Sequence, residues 1–305
     1  MRISTRDWLL LISLSILWGG SFFFTAVAVR EIPPLTLVLC RVGIAAAALY
    51  IYLRLNNTVM PFNRTILATF AGMGLLNNLI PFSLLFWAQT SITSGLASIL
   101  NATTPIFSML VAHFMLADEK MALNKLVGII VGFAGVAVLV GGNAVQGIDT
   151  TTLGILACLG AALSYGFASV FGRRFRALGI APGTAALGQL TATTVMILPV
   201  VVIFDSPWRL AMPGLPAISA TIALALASTA LAYLIYFRLL ASSGAVNAAL
   251  VTLLIPPSAI LLGTVFLGEM LEHRHFLGMG LIGFGLLSID GRILGKRQPP
   301  PPPTR

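Results

Sequence analysis

Long apolar stretches of about 20 residues dominate the chain, and its charged residues cluster near the ends of these stretches and in the short segments between them. An α-helix needs about 20 residues to cross the roughly 30 Å of hydrocarbon in a bilayer. The stretches lack the short-range alternation that marks a transmembrane barrel. The pattern therefore predicts an all-α polytopic membrane protein with ten transmembrane helices, at residues 7–29, 33–54, 64–88, 91–116, 121–141, 151–176, 181–203, 213–240, 244–267 and 273–293.

Polar and aromatic side chains recur at helical spacing inside several of these spans. In the third span, Asn78, Phe82 and Gln89 share one face, with Asn77 and Pro81 beside them. An unpaired amide in hydrocarbon costs several kcal/mol, so such stripes must face other helices or a wet cavity. Similar stripes occur at Ser15, Trp18, Phe22 and Thr25; at Ser94, Ser98, Asn101, Pro105 and Ser108; at Tyr165 and Ser169; and at Thr229, Tyr233 and Tyr236.

Two interpretations of these stripes differ in what the polar groups contact. Interhelical hydrogen bonds, worth about 0.6 kcal/mol each, explain single serines and threonines. The amides of Asn77 and Asn78 next to Pro81, together with Asn101, are more polar than packing requires, and the proline also frees a backbone carbonyl. We expect a central cavity for a solute. Its predicted lining is Trp18, Phe22, Asn77, Asn78, Phe82, Trp87, Ser98, Asn101, Tyr165, Tyr233, Tyr236 and Asn247.

Composition agrees with a membrane protein and limits its partners. Of the 305 residues, 58% are hydrophobic and only 9% are charged, with a mean hydropathy of +0.98, whereas about a quarter of a soluble protein is charged. If the N-terminus is cytoplasmic, cytoplasmic segments hold 14 of the 18 Lys and Arg residues and external segments hold three. The positive-inside rule then predicts that both termini are cytoplasmic. The net charge of +9 fits a face near anionic lipid and requires no nucleic acid.

The acidic residues indicate how transport is driven and what is carried. Every Asp and Glu falls at or beyond a predicted helix end. Ion-driven carriers commonly use an intramembrane carboxylate, so we expect facilitated transport or exchange without obligatory proton coupling. A neutral, amphipathic cavity suits zwitterionic or aromatic solutes, because amides bind the polar end and rings hold the apolar end. Sugar phosphates would need several buried basic residues.

Arg41 is the one basic residue that lies well inside a predicted span and away from its ends. A charge at that depth costs at least about 2.5–3.5 kcal/mol, so the side chain should face protein or water. One hypothesis is that Arg41 meets a substrate carboxylate or gates the outer mouth. The other is that it hydrogen-bonds backbone carbonyls and braces two helices, with partial snorkelling toward the outer surface. Gln189 is the counterpart of Arg41 in the repeat described next, so the charge itself is not repeated.

The chain resembles itself at an offset of about half its length. Residues 33–49 align with 181–197 at an offset of 148, and the sequences around Glu119 and Glu269 align at an offset of 150. Each half would hold five spans, and because five is odd the second half enters the membrane from the opposite side. Such inverted repeats typically build transporters with a substrate site between the halves. The predicted domains are a first repeat at 1–146, a second at 147–295 and a proline-rich cytoplasmic tail at 296–305.

The arrangement of these motifs resembles a known family. Five plus five spans, Trp18-Gly19 in the first helix, Pro34 ahead of Arg41 in the second, and mid-span prolines followed by a glutamate in helices four and nine are similar to the EamA family of the drug/metabolite transporter superfamily. The chain looks most like the YddG-type exporters of aromatic and other neutral amino acids. The resemblance implies export by alternating access across a bacterial inner membrane, a central cavity and no organic cofactor.

Other features complete the predictions. The prolines at Pro81, Pro105, Pro256 and Pro257 would kink helices three, four and nine and serve as hinges. The G-x-G-x-x-G at 278–283 lies inside a span, so it is interpreted as a packing face of helices five and ten and not as a dinucleotide site. Those helices are expected to act as scaffold in a monomer, or as a dimer contact.

Alternative functions remain open at this stage. These are a carrier of another solute, such as a nucleoside, an amine or drug or a sugar phosphate, an intramembrane enzyme, and a passive channel. An enzyme would need a clustered nucleophile, base or metal set. The one dense group of such residues, His273 and His275 near Glu269 and Glu272, is interpreted as a solvated cap on a turn, with no metal expected.

Overall fold

The computed structural model describes residues 4–58, 60–116, 123–140, 149–248 and 250–290, and the regular structure in these ranges is helical, with no strand. The predicted domain boundary at 146/147, Glu119 and the tail at 296–305 lie outside the described residues. In the first part of the chain the helices are α1 (Thr5–Ala28), α2 (Pro34–Leu55), α3 (Arg64–Gly74), α4 (Ile80–Ala88), α5 (Ser94–Asn101), α6 (Thr104–Met115) and α7 (Leu123–Val140).

The second part of the chain is also helical. Its helices are α8 (Thr150–Phe171), α9 (Arg173–Ala177), α10 (Pro182–Phe204), α11 (Leu215–Ala225), α12 (Ala232–Ala248), α13 (Val251–Leu267) and α14 (His273–Asp290), with a 3-10 turn at Pro207–Arg209. Local sequence explains several helix starts. Asn63 Oδ1 accepts from Ile66 N at 2.8 Å and Asp149 Oδ1 accepts from Thr152 N at 2.7 Å, as helix N-caps do.

Length and hydropathy make this an integral membrane protein with several spans. Within the described residues, seven helical stretches are long and apolar enough to cross a bilayer, and two further apolar helices are shorter, at Lys125–Val140 and Val251–Leu267. Large apolar side chains also cover the outer surface. On α1, Leu9 and Ile16 are 63% and 53% exposed, while Leu11 and Leu14 on the other face are fully buried. This distribution suits a helix with one face in lipid and one in protein.

A π-helical turn interrupts each of two long helices. Leu75–Leu79 (π1) connects α3 to α4, and Leu226–Leu231 (π2) connects α11 to α12. The two segments start 151 residues apart, close to the offset of the sequence repeat. Single π-turns inside α-helices occur frequently at functional sites. Pro81 is the second residue after π1, but no proline marks π2.

The helices pack in pairs that recur between the two parts of the chain. α7 packs most extensively on α14, and α2 packs on α10. The contact between α1 and α13 corresponds to the contact between α8 and α6. The contact between α4 and α8 corresponds to the contact between α12 and α1. The contact of α3 with α10 is matched by α2 with α11. Replacing each of these helices by its counterpart in the other part of the chain therefore gives the same set of contacts.

Glycines allow α7 and α14 to approach closely. A Cβ atom on Gly135 would lie 2.8 Å from the Gly278 carbonyl oxygen, and one on Gly285 would lie 2.6 Å from the Gly128 carbonyl oxygen. Both distances are shorter than a Cβ contact allows, so backbone-to-backbone packing here requires glycine. Gly283, which the sequence also assigned to this face, does not take part, because a Cβ atom there would meet no atom within 4 Å.

The ends of two predicted spans differ from expectation. The helix expected at 91–116 begins at Ser94 and is broken between Asn101 and Thr104. The start expected at 244 coincides with a break inside α12, where Gly244 adopts φ 81° and ψ 168°. That positive φ favours glycine, which has no Cβ to clash with the following carbonyl. The chain can therefore change direction at this position before α13.

Candidate functional site

A group of polar and aromatic side chains lies where α2, α8 and α10 meet the two π-segments. The group is called the central cluster here, and its contacts run through side chains that are mostly buried. Its members are Arg41, Asn77, Asn78, Phe82, Tyr165, Gln189, Thr193, Thr229 and Tyr233.

The two asparagines of π1 bind α10. Asn77 Nδ2 donates to Gln189 Oε1 at 2.9 Å and to the Tyr233 hydroxyl at 3.4 Å. Asn78 is fully buried, and its Nδ2 donates to Gln189 Oε1 at 3.4 Å and to Thr193 Oγ1 at 3.3 Å. The Tyr233 hydroxyl donates to Asn78 Oδ1 at 3.4 Å. The amides therefore face protein and each other, and not lipid.

Arg41 makes the corresponding contact to π2. Its side chain is only 6% exposed, and Nε donates to Thr229 Oγ1 at 2.9 Å. The guanidinium carbon lies 3.8 Å from the centroid of the Phe82 ring and 5.6 Å from that of Phe86, which is cation–π geometry. Arg41 therefore joins two helices, but through a hydroxyl and aromatic faces instead of backbone carbonyls. It does not snorkel to the surface.

Two tyrosines lie near the guanidinium. Tyr165 and Tyr233 lie close enough to Arg41 for their hydroxyls to interact with its charge. The neighbouring Ser164 donates to the Leu76 carbonyl at 2.7 Å, so a carbonyl within π1 is held by a side chain of α8. Trp18 and Tyr236 form an aromatic pair with ring centroids 5.5 Å apart. Tyr236 is linked to the cluster through Phe237, which stacks on Tyr233.

The other predicted lining residues take different positions. Phe22 is buried, and Ser98 is fully buried and donates to the Gly95 carbonyl within its own helix. Asn101 lies at the break between α5 and α6, and its buried Oδ1 accepts no hydrogen bond from the described residues. The side chain of Asn247 lies outside what the structure describes.

Trp87 departs from the prediction. Its side chain is 46% exposed, whereas Phe82 and Phe86 on the same helix are buried. Nine residues separate Trp87 from Asn78, which turns it by about half a revolution at 3.6 residues per turn. It therefore lies on the face opposite the central cluster, and we remove it from the candidate site.

Two members of the cluster, Thr193 and Thr229, were predicted neither as lining residues nor in the gating or bracing role given to Arg41 and Gln189. Thr193 Oγ1 donates to the Gly74 carbonyl at 3.0 Å and to the Gln189 carbonyl at 2.8 Å. Its spacing of four from Gln189 places both on one helical face, so the sequence held that signal. Thr229 Oγ1 donates to the Leu224 carbonyl at 2.8 Å, five residues earlier. That spacing belongs to the π-turn, which the sequence did not reveal.

The prolines proposed as hinges fall in two settings. Pro81 is the second residue of α4, which follows π1, and Pro105 is the second residue of α6, which follows the break at Asn101, so both stand at real interruptions. Pro256 and Pro257 lie inside α13, which is assigned as one uninterrupted helix. In that half of the chain the irregular positions are π2 and Gly244.

A carboxylate joins the helices at the predicted external end. Glu269, in the connection between α13 and α14, accepts from Ser94 N at 2.8 Å, from Ser94 Oγ at 2.9 Å and from Gly95 N at 3.1 Å. It therefore occupies the N-terminal donors of α5, which also places a negative charge at the positive end of that helix. On the same predicted side, Glu31 Oε2 accepts from Gly214 N at 2.6 Å.

The histidine-rich turn forms a structural cap. His275 Nδ1 accepts from Glu272 N at 2.9 Å, and Arg274 pairs with Glu272 at 2.8 Å. The hydrogen bond from Arg274 lowers the pKa of the exposed Glu272 carboxyl. Among the described residues, no three His, Cys, Asp or Glu side chains are grouped so that they could hold a metal ion.

The family assignment follows from two matches along the chain. The model of the EamA-like transporter family matches residues 7–141 and again residues 152–289. Together these segments cover most of the sequence. The chain belongs to the EamA-like transporter family. Its two family segments contain π1 and π2 respectively, so each supplies half of the central cluster.

Several known proteins are similar to this chain over nearly their whole length. The uncharacterized transporter YoaV of Bacillus subtilis is 28% identical over 287 residues, covering 90% of this chain and 94% of that protein. A probable amino-acid metabolite efflux pump of Escherichia coli is 26% identical over 293 residues, covering 93% and 94%. A solved crystal structure superposes with a TM-score of 0.68 at 19% identity over 96% of this chain and 99% of that one, and it shows the shared fold.

Proposed function

We propose that this EamA-like transporter exports aromatic and other neutral amino acids across a bacterial inner membrane. One observation carries the proposal. Arg41 is a buried guanidinium that donates to the Thr229 hydroxyl, lies over the Phe82 ring and is close to two tyrosines, and none of the other central-cluster residues is a carboxylate. A single cation in an otherwise neutral, aromatic setting suits a solute with one carboxylate and an apolar body.

The cluster, together with the further predicted lining residues Asn101, Trp18 and Tyr236, offers a partner for each part of such a solute. Arg41 donates its Nε hydrogen to Thr229. Its terminal nitrogens form no hydrogen bond with the other described residues, so they can bind a carboxylate. The buried Oδ1 of Asn101, which has no partner among the described residues, is an acceptor for an ammonium group. Trp18, Tyr236 and Phe82 provide the rings that hold an aromatic side chain. The related Escherichia coli protein named a probable amino-acid metabolite efflux pump supports the same solute class.

We further propose ten transmembrane helices in two inverted repeats of five, with domains at 1–146 and 147–295. The paired helix contacts, the two π-segments 151 residues apart and the double family match all support this arrangement. In such a protein an odd number of helices per repeat places the halves in opposite orientations. Both termini would then be cytoplasmic, as the distribution of Lys and Arg requires.

Alternating access is the proposed mechanism, as uniport or exchange in a monomer without a cofactor. The halves meet at the central cluster, where α2 binds π2 and α10 binds π1. A π-turn leaves its helix with a locally irregular hydrogen-bond ladder, so these segments and Pro81 are the proposed points of bending. Transport then follows the solute gradient, because no carboxylate lies among the cluster residues to carry a coupled proton.

Efflux from proteoliposomes tests this function. Liposomes loaded with labelled phenylalanine are diluted into buffer containing unlabelled phenylalanine, leucine, uridine, choline or glucose 6-phosphate, with and without a pH gradient. Saturable efflux that neutral amino acids accelerate or compete with, and that persists without the gradient, supports the proposal. Efflux that responds only to the nucleoside, the amine or the sugar phosphate would assign another solute. Non-saturable leakage through folded protein would indicate a channel.

A further inference from the structure

An apolar groove lies on the surface of the helix bundle and is separate from the central cluster. It has a volume of about 590 Å³, within the range of sites that hold small molecules. None of the cluster residues lines it. The groove runs between α2, α3 and α10 and the connection from α2 to α3, and its walls are Ala46, Ala47, Tyr50, Met60, Phe62, Leu67, Phe70, Ala71, Leu187, Gly188, Thr191, Ala192, Val195 and Met196.

The groove walls combine small side chains and buried Phe70 with large exposed side chains. A Cβ atom on Gly188 would collide with the Phe70 ring, so this ring packs directly on the α10 backbone. At the rim, Phe62 is 76% exposed and Tyr50 is 51% exposed. An elongated apolar ligand would bury these rings, which otherwise lie open.

Two arginines stand at one end of the groove. Arg54 follows Tyr50 by four residues on α2, and Arg64 precedes Leu67 by three residues on α3. Residues three or four apart share a helical face, so both arginines continue the groove walls by one turn. Both side chains are exposed, and neither forms a hydrogen bond or ion pair with the described residues. The groove therefore leads from an apolar channel to two positive charges.

We propose that this groove binds an anionic phospholipid of the inner leaflet. Its acyl chain lies against Ala47, Phe70 and Ala192, and its phosphate is bound by Arg54 and Arg64. Basic residues between transmembrane helices at the cytoplasmic side commonly bind anionic headgroups, and each contributes about 1 kcal/mol near the surface. A second copy of this chain is a poorer occupant, because two copies would bring the same arginines together. The site is independent of the solute that the central cluster carries.

Native mass spectrometry of the full-length protein in detergent tests this site. The protein is titrated with phosphatidylglycerol and with phosphatidylcholine of the same acyl chains, and the Kd of the first bound lipid is measured. Wild type should bind phosphatidylglycerol at least about fivefold more tightly. The Arg54→Gln, Arg64→Gln double variant should lose this preference. Arg6→Gln, which removes another basic residue near a separate polar pocket beside Asp7 and Arg238, should keep it.

A second variant tests the apolar part of the site. Ala47 is an exposed groove residue, so Ala47→Phe narrows the channel with little effect on folding, which thermal unfolding verifies. It should weaken both lipids. Equal affinity of wild type for the two lipids would overturn the proposal, as would a preference that survives the double arginine variant. If the wild-type protein were dimeric and Ala47→Phe made it monomeric, the groove would be the contact with a second copy of the chain, and the lipid proposal would be overturned.

Discussion

Arg41 Nε donates a hydrogen bond of 2.9 Å to Thr229 Oγ1, joining residues 188 positions apart. A corresponding bond of the same length runs from Asn77 Nδ2 to Gln189 Oε1. In each case a polar residue of the second helix of one half meets the π-segment of the other half. The pairs differ in one respect, because one contains a charge and the other contains only amides. Both halves therefore make the same kind of interhelical contact, but only the contact of Arg41 contains a charged residue.

Removing the acceptor of Arg41 should destabilise the protein. Thr229→Val keeps the shape but leaves the buried Nε without its partner, and hydrogen bonds to charged groups contribute about 1.5–3 kcal/mol. Thr194→Val is the matched control, since Thr194 Oγ1 donates to the Leu190 carbonyl of its own helix. Thermal unfolding in detergent should show a clearly larger loss for Thr229→Val. Equal losses would mean that the Arg41 contact adds nothing.

The amide pair should show energetic coupling. Asn77→Ala and Gln189→Ala each remove one side of the 2.9 Å hydrogen bond, so the double variant should lose less stability than the two single variants added together. Interhelical bonds of this kind average about 0.6 kcal/mol and reach about 1.7 kcal/mol. A double-mutant cycle in unfolding free energy measures the difference. Strict additivity would show that the two side chains do not interact.

Glu269 should hold the predicted external end closed. Glu269→Ala removes three hydrogen-bond contacts to the N-terminus of α5, so it should lower the unfolding temperature and change the efflux rate. Glu272→Ala is the control from the same turn, because Glu272 is 62% exposed and pairs with Arg274 at the surface, where such pairs contribute about 0–1 kcal/mol. If both variants behaved alike, Glu269 would be an ordinary surface carboxylate.

Two glycines of α14 should differ in how well they tolerate an added methyl group, because only one of them packs tightly on α7. Gly285→Ala places a methyl group 2.6 Å from the Gly128 carbonyl oxygen, while Gly280→Ala meets nothing within 4 Å. Overpacking typically costs about 1–3 kcal/mol. Gly285→Ala should therefore lower the yield of folded protein and its unfolding temperature, and Gly280→Ala should not. A stable, fully active Gly285→Ala protein would contradict the close approach of α7 and α14.

Sequence patterns were sufficient for the helical membrane architecture and for much of the cluster. Asn77, Asn78, Tyr165, Gln189 and Tyr233 stand out because amides and hydroxyls inside apolar spans must find partners, and the structure brings these residues together. The interhelical contacts of the two asparagines also agree with the packing interpretation, so hydrogen bonding and solute binding concern the same side chains.

The rest depended on geometry that no local pattern encodes. The π2 segment has no proline or glycine of its own. Helical spacing placed Thr229 on a stripe with Tyr233 and Tyr236, but it did not predict the π-turn or the hydrogen bond of Thr229 to the Leu224 carbonyl, five residues earlier. Trp87 was predicted to line the cavity because it lies close in sequence to other predicted lining residues. Its angle around the helix from Asn78 puts it on the face opposite the central cluster. The partner of Arg41 was also beyond the sequence, because backbone carbonyls and a side-chain hydroxyl satisfy a buried guanidinium equally well.

The central claim is that Arg41 recognises the carboxylate of an amino-acid solute, and competition by solute fragments tests it most directly. Efflux of labelled phenylalanine is measured against phenethylamine, which lacks the carboxylate, in wild type, in Arg41→Gln and in Arg209→Gln, an exposed loop control. Losing a charged hydrogen bond of about 1.5–3 kcal/mol corresponds to about a 10- to 100-fold change in affinity. The account predicts that wild type and Arg209→Gln prefer phenylalanine by that margin and that Arg41→Gln loses the preference. An unchanged preference in folded Arg41→Gln would contradict it and leave Arg41 as a brace between helices.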